Sequence, residues 1–146
     1  MTQTSNQFSQ SVEKGMLTLD PNWATLNTQV SVNEAGTLVA GQAVLIEDAA
    51  GAQIPVIKAA ATGNAIFGFV TYNVRTDSYT AQDQVKIAKS GDVMYMEAGA
   101  AIARGADVEV VITGNKVQTQ SAGTTVGKAL DKAAADGDLI RVLISI

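Results

Sequence analysis

Residues 107–120 read DVEVVITGNKVQTQ, and this stretch predicts how the whole chain is built. Two strand-like runs, 107–112 and 116–120, flank Thr113-Gly114-Asn115. A short Gly- and Asn-containing turn between two such runs is typical of a β-hairpin. The same alternation of strand-like runs and turns continues in both directions along the chain.

Further strands are predicted on both sides of this hairpin. Gln42–Glu47 is a short apolar run, and residues 65–73 (AIFGFVTYN) are rich in β-branched and aromatic residues. Two alternating runs flank the turn at 89–92, and residues 139–146 form a final strand. Turn signals recur about every 8–12 residues, which is typical of a sandwich or barrel. The sequence therefore predicts a mostly β, compact domain resembling a small barrel or sandwich.

Two segments carry helix signals. Residues 98–104 (AGAAIAR) are Ala-rich and end at Gly105, which predicts one or two short helical turns. Residues 128–135 (KALDKAAA) have high helix propensity but are too few to form a stable helix alone. For this second segment we favour a strand followed by a turn, because a similar passage occurs elsewhere in the chain.

That similar passage is part of an internal echo. Residues 67–70 (FGFV) are followed by an Asp and an alternating strand at 83–87, and residues 126–130 (VGKAL) by the same arrangement at 138–142. A second echo relates 41–44 (GQAV) to 105–108 (GADV). Either the chain contains a duplication, or a sequence rich in Val, Gly and Ala matches itself by chance. In both cases, Gly inside a strand indicates a bulge or a close backbone approach.

Composition excludes several classes of chemistry. The chain has 146 residues, enough for one domain, and contains no Cys and no His. It therefore lacks a Ser-His-Asp triad, a Cys-His pair, disulfides and the usual zinc ligands. Its close acidic pairs, Asp107/Glu109 and Asp136/Asp138, lack the ordered oxygen ligands of a calcium loop. We predict a non-catalytic protein with no metal and no cofactor.

Charge and hydropathy bear on the partners of the protein. The net charge is −4 and the ten basic residues are scattered, so we expect no nucleic-acid binding. The apolar runs are too short to span a membrane, and the polar N-terminus lacks the apolar core of a signal peptide, so we expect neither a membrane partner nor export. Only 16% of residues are charged, which is typical of a surface partly covered by partners or of one rich in Thr, Asn and Gln.

The N-terminal residues differ from the rest of the chain. Residues 1–22 are mostly polar and neutral, and Phe8 is the only aromatic side chain among them. A stretch of this kind buries too little apolar surface to order itself. We predict an extended N-terminal arm over residues 1–22 and a single β-rich domain over 23–146 that folds without the arm.

A collinear series of short motifs runs through residues 65–146. None of the motifs is catalytic, and each consists of strand and turn residues. In order they are IFGFV (66–70), GDVMYM (91–96), AIARGA (101–106), GKALD (127–131) and GDLIRVLI (137–144). Together and in this order they resemble the head-decoration, or capsid cement, proteins of tailed bacteriophages. Residues 1–64 match this pattern less clearly.

The resemblance implies a role and a set of partners. It implies a compact β domain that sits as a homotrimer on the outside of an icosahedral head, after synthesis in the host cytoplasm. It also implies a polar N-terminal arm that reaches onto the major capsid protein. Two alternatives stay open, a tail- or fibre-associated structural protein of the virion and a small carbohydrate-binding module. Against the second, the aromatic residues are not spaced as a sugar-binding platform.

Five side chains of the arm and its boundary are the predicted capsid contacts. Leu17 and Leu19 alternate about Thr18, which suits an extended segment with one buried face. Trp23, the only Trp, is either a core residue or an interface anchor. The predicted contacts are Phe8, Met16, Leu17, Leu19 and Trp23. The alternative is that these residues fasten the arm to its own domain.

Overall fold

A computed structural model describes residues 12–17, 26–48, 51–52, 54–63 and 65–146. Within these ranges the chain forms strands and turns and no helix. The strands are β1 (Leu26–Val30), β2 (Leu38–Val39), β3 (Ala43–Glu47), β4 (Val56–Ala59), β5 (Gly68–Val70), β6 (Ser78–Tyr79), β7 (Gln84–Ala88), β8 (Val93–Glu97), β9 (Asp107–Val111), β10 (Lys116–Thr119), β11 (Thr125–Ala129) and β12 (Leu139–Ile144). The predicted mostly β, barrel-like fold is confirmed.

Ten of these twelve strands form two five-stranded units of the same connectivity, and β2 and β6 pair in a separate two-stranded sheet. Unit 1, residues 26–88, is a closed barrel of order β1-β4-β3-β5-β7, in which β1 and β4 are parallel. Unit 2, residues 93–144, is a sheet of order β10-β9-β11-β12-β8. A parallel bridge from Ala98 to Val117 joins its two edge strands, where β1 meets β4 in unit 1. Each unit therefore contains one parallel and four antiparallel strand pairs.

Hydrogen bonds and register match between the units. The Gly41 amide donates to the Val70 carbonyl at 2.8 Å, and the Gly105 amide donates to the Ala129 carbonyl at 2.7 Å. Residues in equivalent strand positions are Ala43 and Asp107, Val44 and Val108, Gly68 and Gly127, Phe69 and Lys128, and Ala88 and Leu143. The internal echo of the sequence thus corresponds to a repeated structure.

Gly68 and Gly127, the two strand glycines of the internal echo, lie where the backbone of a neighbouring strand is too close for any side chain. A Cβ at Gly68 would lie 2.5 Å from the carbonyl oxygen of Ala88. A Cβ at Gly127 would clash in the same way with the carbonyl oxygen of Leu143. In each unit the strand pair is therefore closer than any side chain at this position would allow.

Two clusters of buried side chains form the core. One fills the barrel of unit 1 and includes Val44, Ile57 and Ile87. The other includes the interior of unit 2 and also takes in residues of unit 1, among them Phe69, which is fully buried. Val70, the neighbour of Phe69, belongs to the first cluster, so Phe69 points out of its own barrel. Packing against unit 2 is thus built into β5 of unit 1.

The helical turns predicted at 98–104 are absent. The Ala98 amide donates to the Asp138 carbonyl at 2.8 Å, and the Gly99 amide donates to the Val117 carbonyl at 2.7 Å. These long-range bonds hold the backbone extended, so pairing with distant strands overrides the local preference of Ala for helix. The strand favoured at the start of 128–135 is confirmed, because β11 runs to Ala129.

The turn at 89–92 joins the two units. β7 and β8, which flank it, lie in different sheets, with β7 beside β1 and β5 and β8 beside β12. The predicted hairpin at 107–120 is confirmed, with β9 and β10 antiparallel from Lys116 opposite Val111 to Thr119 opposite Val108. A turn signal between two strands therefore marks a hairpin in one place and a connection between units in the other.

Candidate functional site

Residues 12–17 of the predicted arm pair with the edge of unit 2. The Gly15 amide donates to the Tyr95 carbonyl at 2.7 Å, and the Tyr95 amide donates to the Met16 carbonyl at 2.8 Å. Leu17 forms an antiparallel bridge with Met94. This segment therefore extends the sheet of unit 2 beyond β8. The predicted arm boundary at residue 22 lies outside the described ranges.

The same segment is also bound to unit 1. The Tyr72 amide donates to the Gly15 carbonyl at 3.0 Å. Gly15 is buried with a φ of +86°, and a Cβ there would lie 3.0 Å from the Ala40 Cβ and from the Gly41 nitrogen. Any other residue would be strained at this position, both by its backbone conformation and by these contacts. Gly15 thus fastens the arm at the junction of the two units.

Lys14 adds electrostatic contacts to the same junction. Its Nζ lies 3.2 Å from Glu97 Oε2 and 3.4 Å from the carbonyl oxygens of Gly114 and Asn115. The Lys116 Nζ lies 3.1 Å from Glu97 Oε1. Burial opposes ionisation of Glu97, but hydrogen bonds from Lys116 and Lys14 outweigh it and lower the pKa of this carboxyl. Glu97 is therefore held ionised between two lysines.

Two of the five predicted contact residues fall within the described ranges. Leu17 is half-buried and packs against the core cluster of unit 2. Met16 is also half-buried, and because side chains alternate along an extended segment, it lies on the opposite, outer side. Phe8, Leu19 and Trp23 lie outside the described residues. The structure thus separates Met16 from Leu17 and brings Leu17 into the chain's own core.

An apolar outer face lies beside Met16 on the sheet of unit 2. We define the β8–β12 face by the outward side chains Val93, Tyr95, Leu139, Arg141 and Leu143, which are opposite one another or neighbours in register. Leu139 is 38% exposed and Leu143 is 36% exposed, whereas the intervening Ile140 and Val142 are buried. Isolated exposed leucines are ordinary, but these two lie on one strand beside Val93 and Tyr95, so the face is partly apolar around the charged Arg141 and Glu97.

The sequence contained a signal for this face. In LIRVLI (139–144) both alternating sets are largely apolar, and a strand with only one covered face would carry polar residues on the other. The strand is predictable from the sequence but its second apolar side is not, because alternation alone does not say which set of side chains faces the core.

Arg141 is fixed on this face by Asp131. Its Nε and Nη2 lie 2.8 Å and 2.7 Å from the two carboxylate oxygens, and its backbone amide donates to Asp131 Oδ2 at 3.0 Å. Hydrogen bonds from the guanidinium are the main reason that the pKa of Asp131 falls to about 2. The β8–β12 face thus presents a positioned cation opposite Tyr95, between two leucines.

Other kinds of site are not found in the described part of the chain. Within it, no three acidic side chains cluster closely enough to hold a metal ion. The same residues include no helix that is long and apolar enough to cross a membrane.

Comparison with known proteins places this surface in context. A family model described as "Structural cement protein (E217 gp24/Pam3 gp6)" matches residues 1–145. No curated protein matches the chain. Among solved structures, the chain is similar to the head fiber gp8.5 N base of bacteriophage phi29, with a TM-score of 0.53 and 18% identity over 84% of this chain and 93% of that one. At this identity the likeness concerns the fold alone.

Proposed function

Because this chain belongs to the family of structural cement proteins of phages, we propose that it binds the outer surface of the icosahedral head and stabilises the shell. It is a structural protein of the phage virion, and the family implies a non-catalytic role in association with the capsid. The match of the family model over residues 1–145 is the observation that carries this proposal. The partner we propose is the major capsid protein.

Two neighbouring parts of the chain supply the proposed contact. Phe8 and Leu19 of the arm, and Trp23 directly after it, are the apolar anchors, and the polar arm can add a strand to a sheet of the capsid protein. Met16 continues this contact onto the β8–β12 face, whose exposed leucines would be removed from water on binding. Leu17 packs in the chain's own core and contributes by holding Met16 in position.

Weak contacts of this kind suit a cement protein. Association costs translational, rotational and side-chain freedom, so each copy binds less tightly than its contact area suggests. Self-association as a homotrimer, which we also propose, would let several arms hold one particle together, and linked contacts bind far more tightly than single ones. Native mass spectrometry measures the oligomer directly, and a protein that is monomeric both free and on heads would contradict the trimer.

Sedimentation with purified heads that lack this protein tests the proposed function. Full-length protein should pellet with the heads, and electron microscopy should show regular knobs over the head surface. Deletion of residues 1–11 and the double variant Leu139→Gln/Leu143→Gln should each weaken pelleting. Ile46→Gln is the control, because Ile46 is 51% exposed and lies on β3 of unit 1, between β4 and β5.

The outcomes separate the proposed contacts from the proposed role. Full-strength pelleting of both altered proteins would exclude the arm and the β8–β12 face as adhesives while leaving the cement role in place. Failure of the full-length protein to bind heads, or density on the tail or on fibres instead of the head, would contradict the cement role itself.

A further inference from the structure

Unit 1 packs against unit 2 through a small apolar face. Four of its residues, Ala43, Ala60, Phe69 and Ala88, are each at most 5% exposed and belong to the cluster that fills unit 2. Phe69 and Ala88 lie opposite each other on β5 and β7, and Ala43 lies opposite Phe69 on β3. This face is the surface by which one unit binds the next along the chain.

The equivalent face of unit 2 has a different chemistry. Register places Asp107, Lys128 and Leu143 at the positions of Ala43, Phe69 and Ala88. The Lys128 Nζ lies 2.7 Å from Asp107 Oδ1, and the two side chains are 52% and 54% exposed. An ion pair in water therefore occupies the place of the fully buried Phe69 and its Ala partner.

The fourth apolar position, Ala60, is also polar in unit 2. The Ala60 amide donates to the Ala43 carbonyl at 3.0 Å, and the Gln120 amide donates to the Asp107 carbonyl at 2.8 Å. Gln120 thus takes the place of Ala60. Three of the four apolar positions of unit 1 are charged or polar in unit 2, although the strand register at these positions matches.

The surface that such a face would bind is also repeated. Met94 and Val126 of unit 2 belong to the cluster that contains Phe69. Leu26 lies opposite Ile87 as Met94 lies opposite Val142, so Leu26 is the equivalent of Met94. Phe67 precedes Gly68 as Val126 precedes Gly127, so Phe67 is the equivalent of Val126 at the same end of the unit 1 barrel. Leu26 and Phe67 are half-buried and pack against the core cluster of the unit 1 barrel, so only part of each side chain is available to a second copy. If unit 2 had an apolar face like that of unit 1, the Leu26 and Phe67 end of a second copy could bind to it. Repetition of this head-to-tail contact would build open chains.

We propose that the Asp107–Lys128 ion pair prevents a second copy of this chain from binding to unit 2 as unit 2 binds to unit 1. Docking there would remove both charges from water, and the attraction between them does not repay that desolvation in an apolar contact. The ion pair thus ends the head-to-tail series after two units, as the polar outer faces of terminal repeats do in repeat proteins. The protein is kept available for other partners as a discrete particle.

The test restores the chemistry of unit 1 on unit 2. The double variant Asp107→Ala/Lys128→Phe should form assemblies larger than the wild type, with a mass that rises with concentration in sedimentation velocity. The charge-swapped variant Asp107→Lys/Lys128→Asp keeps both charges and should sediment as the wild type does. Adding Leu26→Gln to the apolar variant should return its mass to the wild-type value, because the receiving surface is then polar.

Two results would overturn the proposal. One is a folded apolar variant, judged by circular dichroism, whose mass equals that of the wild type throughout the concentration series. The other is association that persists after Leu26→Gln, since this would be non-specific adhesion and not head-to-tail docking. If the apolar variant does not fold, Asp107→Asn/Lys128→Met, which is neutral and closer in shape, is subject to the same two criteria.

Discussion

Unit 1 and unit 2 have the same strand order but differ in the side chains on their outer faces. On the outer side of β7 and β1, unit 1 carries Gln84, Lys86 and Asn27, which line a groove together with Tyr72 and Val74. The equivalent residues of unit 2 are Leu139, Arg141 and Tyr95. The more apolar surface therefore lies in the unit to which the arm is paired.

The residues that point inwards differ far less. Val44 and Val108 are both fully buried at matched positions, as are Ile87 and Val142. Inward apolar residues and two close-approach glycines specify the barrel, while outward positions determine whether a face binds the other unit, a partner or water. The comparison separates residues that make the fold from residues that assign its contacts, and each prediction below tests that separation.

The largest effect is expected at the matched pair Phe69 and Lys128. Phe69→Ala should lower the free energy of unfolding by about 3–5 kcal/mol, because it leaves a cavity between the two units. Lys128→Ala should change it by less than about 0.5 kcal/mol, because this side chain is exposed. Urea unfolding of the two variants measures both values. Similar losses at the two positions would contradict the assignment of Phe69 to the contact between units.

The two strand glycines should behave alike where the outer residues do not. Gly68→Ala and Gly127→Ala should each lower the free energy of unfolding by about 1–3 kcal/mol, because the new Cβ meets a backbone carbonyl oxygen that cannot move aside alone. Gly36→Ala is the control, since the nearest atom to its Cβ would be 3.7 Å away. Thermal unfolding of all three is sufficient, and a large effect at only one of the two strand glycines would weaken the structural equivalence of the units.

Features of the fold could be predicted from the sequence where the interacting residues lie close together along the chain. The hairpin at 107–120 and the final strand were predicted because their signals are local, and the echo identified Gly68 and Gly127 as equivalent positions. The helical turns at 98–104 were predicted wrongly because the amides of Ala98 and Gly99 bond to partners far along the chain. The contacts of Lys14 and Gly15 at the junction of the units have no local signal, since Glu97 lies 83 residues from Lys14.

The junction between the units should be sensitive to Gly15. Gly15→Ala should lower the free energy of unfolding by about 1–2 kcal/mol, because the residue takes a left-handed conformation and its Cβ would meet Ala40. Gly51→Ala is a matched control for conformation, because Gly51 has a φ of +76° with open space around it. The hydrogen-exchange rates of the Tyr72 and Tyr95 amides should rise in Gly15→Ala and not in Gly51→Ala. Unchanged exchange would mean that the segment does not join the units.

Deletion variants extend the same test to the arm. The sequence alone predicts that the domain folds without residues 1–22. With residues 12–17 paired to β8, we expect deletion of residues 1–11 to leave the melting temperature unchanged and deletion of residues 1–17 to lower it, because the second deletion also removes Leu17 from the core. Equal melting temperatures for the two deletions would show that the pairing adds no stability.

The smallest effect is expected at Asp131, whose ion pair with Arg141 is absent from unit 1, where Tyr72 and Lys86 occupy the matched positions. The folded-state pKa of Asp131 is about 2, below its ordinary value of 3.8, so its stabilising effect is present above about pH 4 and is lost as the pH falls towards 2. Asp131→Asn should therefore cost no more than about 1 kcal/mol near pH 7, since water screens a pair in which Arg141 is 45% exposed. Near pH 2 the difference from the wild type should shrink, because about half of the wild-type carboxyl is then protonated. Asp77→Asn, an exposed carboxylate of unit 1, is the control. A cost for Asp131→Asn that stays the same at both pH values would mean that Asp131 stabilises unit 2 by its shape and not by its charge.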